Sequence, residues 1–413
     1  MTAEGLPARR AALTMLDGVL RRGLTLESAA QGPGLPPQDA ALAVAIAGET
    51  LRRIPDLDAL IDSATRQRLP DDSKARMVLR LALAQKAGLG TPDHALVATA
   101  LPLVAGGPRR LVHGVLGTLL RRGLSLPEAP TLPAEVEARW VDAWGEDVVL
   151  AARRAIAGRP PLDLSFAGDE QARAFPLGVS LAPRHRRIDD AGNVTALPGF
   201  GTGGWWVQDL AASLPARLVP AGAVHVLDLC AAPGGKTMQL AAAGHGVTAL
   251  DRSQSRLARL ADNLARTGLE AELVAADALT WRAPRAYEAI LLDAPCSATG
   301  TFRRHPEVLY RARPSVIADC AELQARLLDR AATMLSPGGT LVYAVCSLEP
   351  EEGEQAIAAF LERHRQFRPD PPAAGELPGG VTPAPEGWVR VLPGTLEKEG
   401  GVDGFFVARL RRD

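Results

Sequence analysis

From residue 224 onward five apolar runs, HVLDLC, GVTALD, AELVAAD, EAILLDAP and GTLVYAVCS, each end in an acidic residue or a loop, and helix-like stretches separate them. Continuous apolar strands alternating with helices suit a parallel sheet buried on both faces, so this half of the chain predicts an α/β, doubly wound sheet. The late pair WVRVLP and GFFVARL fits an antiparallel edge added to it. The N-terminal part has another period. Apolar residues recur at three- and four-residue spacing, as in Ala11, Leu13, Leu16, Val19 and Leu20 and again in Val78, Leu79, Leu81 and Ala82. That spacing predicts helices, and breaks at Gly32-Pro33-Gly34-Leu35-Pro36-Pro37 and Gly106-Gly107-Pro108 divide them into a compact bundle.

Three regions are therefore expected: an all-α domain over 1–125, a linker and small α+β subdomain over 126–204, and the sheet domain over 205–413. The linker is the Pro-punctuated stretch from Leu126 to Pro133. The subdomain carries one helix candidate, Glu135 to Ala157, and strand-like pieces at Leu162 to Phe166, Val179 to Ala182 and Val194 to Leu197. Its run Arg184-His185-Arg186-Arg187 is the densest basic stretch in the chain and reads as an exposed turn.

Of 413 residues, 47% are apolar and 23% charged, which excludes wholesale disorder. No segment approaches the roughly 18 charge-free apolar residues of a membrane span, so a cytoplasmic protein is expected. The net charge is -1, but residues 1–125 carry 16 Lys/Arg against 11 Asp/Glu and the remainder 30 against 36. A mildly basic helical domain suits nucleic acid and equally suits a solvated face. The four cysteines, Cys230, Cys296, Cys320 and Cys346, have neither metal-ligand spacing nor disulfide density, so reduced thiols and no metal are expected.

The first strand ends at Asp228 and leads into Cys230-Ala231-Ala232-Pro233-Gly234-Gly235-Lys236-Thr237, whose small residues let backbone N–H groups approach a ligand at a helix N-terminus. A phosphate loop would need glycine where Cys230 stands. Asp251, about twenty residues on, can accept from ribose hydroxyls, Asp277 from the exocyclic amine of an adenine, and Asp293 faces the same cleft. Singly, each acid could be a helix cap. Together they predict a nucleoside-bearing cofactor, with NAD and S-adenosylmethionine both open at this point.

Asp293-Ala-Pro-Cys296 and Tyr343-Ala-Val-Cys346 place two cysteines at the carboxyl ends of neighbouring strands, the ligand edge of an open α/β sheet. Cytosine C5 is a poor nucleophile until something adds to C6, and a thiolate suits that addition. A base must then remove the C5 proton, which a second cysteine can do, and an acid at N3, for which Asp293 is placed, would stabilise the adduct. Alone, either cysteine could be a small buried hydrophobe; Cys230 and Cys320 read as such.

DLCAAPGGKT, LLDAPCSATGTFRRHPE and YAVCSLEPEE resemble the cofactor, release-cysteine and nucleophile-cysteine motifs of the RsmB-type (Sun/Nop) RNA cytosine-C5 methyltransferases. The resemblance implies a Rossmann-like methyltransferase domain using S-adenosylmethionine, with Cys346 as nucleophile, Cys296 for release, and Cys230 to Lys236 with Asp251, Asp277 and Asp293 as cofactor contacts. In VDGFFVARL, Val402 stands where the family often has His. VLRLALAQKAGL, TPDHALV and LVHGVLGTLLRRG are similar to a NusB-like RNA-binding domain, with His113 where Asn is frequent. By analogy the substrate is 16S rRNA, bound by a monomer. The competing readings are a tRNA enzyme, a DNA cytosine enzyme in which Cys296 attacks, and an RNA-binding assembly factor without catalysis.

Overall fold

The computed structural model describes residues 5–31 and 34–413. Residues 1–4 and Gly32-Pro33, two of the six residues of the first expected break, lie outside that description. Contacts divide the chain into two units: the residues through Arg159 with Phe302–Arg313, and Pro160–Thr301 with Pro314–Asp413.

The first unit is helical: α1 (Leu6–Arg22), α2 (Leu26–Ala30), α3 (Pro37–Arg52), α4 (Ile54–Ser63), α5 (Lys74–Leu89), α6 (Asp93–Ala100), α7 (Gly106–Arg122), α8 (Ala134–Trp144) and α9 (Glu146–Ala157). Gly23 and Gly90 close α1 and α5 in the left-handed conformation, and the Ser73 hydroxyl caps α5 by accepting from Arg76 N–H at 3.3 Å. The apolar stripe read from the sequence is the core, with Leu16, Ile46, Leu57, Val78, Leu79 and Leu116 fully buried. The single helix expected over Glu135 to Ala157 is two helices, because Gly145 at φ 86 breaks it.

Phe302–Arg313, contiguous in sequence with the Cys296 motif, folds with this unit. Phe302 packs edge-on against Trp140 at 5.4 Å, the Tyr310 hydroxyl donates to Leu51 C=O at 2.8 Å, and Arg52 donates to Arg303 C=O at 2.8 Å. Part of the unit's positive charge is internal: Arg80 grips Asp58 with two 2.7 Å bonds, and the fully buried Arg76 pairs with Asp58 and Asp62. The outer face of α7 keeps Arg109, Arg110, His113 and Arg121 exposed.

The second unit begins with a small antiparallel sheet, β2-β1-β3, from β1 (Leu162–Phe166), β2 (His185–Ile188) and β3 (Trp205–Val207), with α10 (Asp169–Ala174) beside it. The basic run is strand β2 rather than an exposed turn, Val179 forms only an isolated bridge, and Val194–Ala196 is one turn of 3-10 helix. The physical reason is a buried ion pair. Asp163 on β1 accepts two 2.7 Å bonds from Arg187 and a third, at 2.9 Å, from Leu210 N–H, and lies 3.2 Å from His185 Nε2. Burial would raise the Asp163 carboxyl, but Arg187 and His185 hold it well below the usual range. Arg186 in turn donates to Ala172, Gly178 and Arg173 carbonyls, so the run is spent inside the fold.

The main sheet has the order β10-β11-β8-β7-β4-β5-β6, with β9 paired to β11. In chain order its elements are α11 (Leu210–Arg217), β4 (His225–Leu229), α12 (Gly235–Ala242), β5 (Gly246–Asp251), α13 (Gln254–Thr267), β6 (Glu272–Ala275) and β7 (Tyr287–Asp293). After α14 (Val308–Arg311), which belongs to the first unit, come α15 (Pro314–Met334), β8 (Leu335–Val345), α16 (Glu354–Arg363), β9 (Phe367–Pro369), β10 (Val389–Val391) and β11 (Phe405–Arg412). β4 to β8 are parallel and β9 to β11 antiparallel, the late strands forming the expected edge. Leu227, Ile290, Leu291, Leu341 and Val342 are wholly buried, as a sheet covered on both faces requires. No described helix is long and apolar enough to cross a membrane.

Candidate active site

The strand order reverses between β4 and β7, which puts a crevice beyond their carboxyl ends. The turn after β4 enters it. Cys230 adopts φ 62, the Ala232-Pro233 bond is cis, and Gly234 at φ 105 starts α12 without any side-chain cap. A Cβ on Gly234 would lie 2.0 Å from Leu260 Cδ1 of α13, so only glycine lets the turn pass so close to that helix. The first N–H groups of α12 are thus left facing the crevice, where the helix dipole favours electron-rich atoms.

β4 runs one residue past Asp228, whose carboxyl is completely buried. It accepts from the Thr237 hydroxyl at 2.6 Å through Oδ2, while Oδ1 has no hydrogen-bond partner among the described residues. Burial pushes this acid up to about 7, only partly offset by the Thr237 bond. The linkage sign is fixed by that rise. Stability from Asp228 is fully present below the unfolded value of 3.8 and is lost as pH climbs through about 7, because the unfolded chain then ionises more readily. Unfolding free energy should therefore fall between about pH 4 and 7 by a few kcal/mol from this group. Denaturant melts of wild type and Asp228→Asn across that range check it: the variant should have the flatter profile, and identical profiles would contradict it.

At the end of β5, Asp251 accepts from Ala232 N–H at 3.2 Å and from Ser253 N–H at 2.8 Å, so the acid read as a ribose acceptor also fastens the Cys230 turn. Asp277 is not at the end of its strand. β6 stops at Ala275, and the exposed Asp277 makes an Asx turn by accepting from Leu279 N–H at 2.9 Å. Asp251, Asp277, Leu250, Ala278, Leu323 and Leu327 nonetheless line one cavity of about 110 Å³ beside Cys230. A larger cleft of about 700 Å³ lies at the opposite edge of the sheet, by His225 and Gly246, far from the ligand edge.

Cys296 and Cys346 follow the adjacent parallel strands β7 and β8, and their sulfurs are 3.5 Å apart. The hydrogen bond to Cys346, then burial, pushes the Cys296 thiol well above its ordinary value, so Cys296 holds its proton. Asp293 accepts from Lys236 Nζ at 2.7 Å. Burial alone would lower the lysine, but Asp293 and, more weakly, Cys346 raise it, so a fixed positive charge sits beside the carboxylate. Burial pushes Cys230 up to about 12 and Cys320 to about 11, leaving both as thiols. Cys320 lies within α15, as expected of a packing residue.

Sequence reading missed the polar cluster behind the thiols. Glu352, fully buried, accepts from Ser297 N–H at 2.9 Å, Ser347 Oγ at 2.8 Å, Gln324 Nε2 at 2.8 Å and the Ser297 hydroxyl. The available signal was a glutamate six residues after Cys346 and a serine after each cysteine, none of which has meaning until the two loops meet.

A doubly wound sheet with this turn after its first strand, preceded by a helical domain, is the Rossmann-like methyltransferase architecture. A family model described as "16S rRNA methyltransferase RsmB/F" matches residues 216–411, and one described as "NusB family" matches residues 6–121. A Klebsiella pneumoniae protein named "Ribosomal RNA small subunit methyltransferase B" is 34% identical over 449 residues, covering 98% of each chain. A protein of that name from Citrobacter koseri is 43% identical over 253 residues, 60% of this chain and 56% of that one. Among solved structures, a methyltransferase homolog from Pyrococcus horikoshii is similar at TM-score 0.55 and 28% identity, covering 72% of this chain and 98% of that chain. The chain belongs to the RsmB/F family of rRNA methyltransferases, with a NusB-like N-terminal region.

Proposed function

We propose that this protein transfers a methyl group from S-adenosylmethionine to C5 of a cytosine in RNA, most specifically 16S rRNA, through a covalent adduct between Cys346 and C6. The carrying observation is the pair of sulfurs 3.5 Å apart at the ligand edge, beside the Lys236–Asp293 pair. The cofactor fits the neighbouring features. Residues Cys230 to Lys236 offer an uncapped helix N-terminus and close backbone approach, while Asp251 and Asp277 bring carboxylates to a cavity whose other walls are largely apolar. When bound, the cofactor supplies an electrophilic sulfonium methyl.

The protein's own groups do the rest. The Cys346 thiolate forms an S–C6 bond, and as charge develops on ring N3 the Lys236 ammonium, which already donates to Asp293, passes a proton through that carboxylate to N3 and takes it back when the adduct collapses. The electron pair released at C5 takes the methyl group. Cys296 then removes the C5 proton, and the C6–S bond breaks, returning the Cys346 thiolate. At rest Cys296 is held protonated by Cys346 first and by burial second; once Cys346 is a thioether the first restraint is gone, and Cys296 sheds its own proton to solvent before it takes the one at C5. The target base must leave its stack to reach both thiols, which favours a loop over a regular duplex. The exposed α7 face, Arg109, Arg110, His113 and Arg121, supports RNA as the partner by offering phosphate contacts.

Bisulfite sequencing of ribosomal and transfer RNA from cells with and without the gene tests this. Loss of one 5-methylcytosine in 16S rRNA is expected. Loss only in transfer RNA would change the substrate, and no loss would favour an assembly factor without catalysis.

A further inference from the structure

The buried acid at 352 has no part in the steps above, yet its contacts reach both cysteine loops. Ser297, which follows Cys296, gives it a backbone N–H and a hydroxyl; Ser347, which follows Cys346, gives it a hydroxyl. Gln324 on α15 donates one amide hydrogen to Glu352 and, at 2.9 Å, another to the carbonyl of Pro295, which precedes Cys296. The two serine hydroxyls are 3.1 Å apart, Thr299 Oγ1 lies 3.3 Å from Ser347 Oγ, and Thr299 accepts from Leu348 N–H at 2.9 Å. The chain that carries Glu352 is itself anchored, since its carbonyl accepts from the Tyr343 hydroxyl at 2.6 Å. A second brace comes from β10, where Arg390 donates to Ser347 C=O and pairs with Glu354.

A buried carboxylate without a cationic partner in its ring of donors is expensive to keep, and a fold with no use for it would be more stable with an apolar side chain there. What this carboxylate does is tie two loops, otherwise free to diverge after their strands, into one rigid unit. We infer that Glu352 is the positioning residue that sets the Cys296–Cys346 separation. This rests on the proposed two-cysteine reaction. Glu352 acts through Ser297 and Ser347, touching neither substrate nor cofactor.

Thiol–thiol spacing can be read without RNA or cofactor. Diamide, an azo oxidant, takes two electrons and two protons from Cys296 and Cys346, becoming a hydrazine as one S–S bond forms. In wild type that closure should be fast. In Glu352→Ala it should slow by roughly tenfold or more, and kcat for RNA methylation should fall about a hundredfold with the cofactor KM little changed. Glu352→Gln is the discriminating rescue: its Oε1 can accept from Ser297 N–H and Gln324, and its amide can donate to the two hydroxyls, so closure should stay within about threefold of wild type. Should Glu352→Ala not fold, Ser297→Ala with Ser347→Ala removes two of the four bonds, sparing the backbone N–H and the Gln324 amide, and should slow closure likewise. Wild-type closure in folded Glu352→Ala, or in the double serine variant, would overturn the inference. A wild type that closes quickly yet never methylates RNA would overturn the functional reading instead.

Discussion

Cys346→Ala should abolish methyl transfer, lowering turnover on the order of ten-thousandfold or more, while Cys296→Ala should still attack RNA and then fail to let go. The asymmetry follows from the proposed roles. Without Cys346 nothing adds to C6, so C5 never becomes nucleophilic. Without Cys296 the first bond forms and methyl transfer proceeds, but the C5 proton stays and the adduct cannot collapse. Denaturing gels of each variant with RNA and cofactor should show a protein–RNA band for Cys296→Ala and none for Cys346→Ala. The reverse pattern, with an adduct lost only on removing Cys296, is what a DNA-type cytosine enzyme would give.

The second large effect is expected at Asp293. It accepts from the nearly buried Lys236 at 2.7 Å, and the mechanism asks it to donate to the ring as charge builds. Asp293→Asn should cost roughly a hundred- to a thousandfold in kcat, the usual scale for losing one group aimed at developing charge. It also leaves the Lys236 ammonium without its carboxylate, which should lower stability. The two consequences separate in the double variant. Adding Lys236→Met to Asp293→Asn should restore much of the stability, read by thermal melting, and none of the activity. Recovery of both would reduce Asp293 to a partner for the lysine.

The sheet and both cysteine loops were legible because parallel strands covered on two faces must be apolar throughout, which leaves their polar ends conspicuous. β5 ends at Asp251 and β7 at Asp293 as the pattern required. Of the small sheet only β1, read as Leu162 to Phe166, was legible; β2 and β3 were not, because Asp163, His185 and Arg187 share its interior with the apolar residues. A strand reading HRRI has no period to detect, and its charges looked solvated until Asp163 was seen opposite. Phe302–Arg313 misled differently: it continues the Cys296 motif in sequence, but Phe302 and Tyr310 give it apolar anchors in the helical unit. Glu352 lay hidden for the reason any tertiary network does. Its partners sit 55, 28 and 5 residues away and converge only after β7 and β8 pair.

The identity of the attacking sulfur can be read directly. RNA carrying 5-fluorocytosine at the target gives an adduct that cannot collapse, since the methylated C5 bears fluorine where a removable proton should be. After incubation with S-adenosylmethionine, proteolysis and mass spectrometry should find the nucleotide on the peptide containing Cys346, with the mass of one added methyl group. A nucleotide on the Cys296 peptide, or no adduct from an enzyme active on ordinary cytosine, would contradict the proposed mechanism.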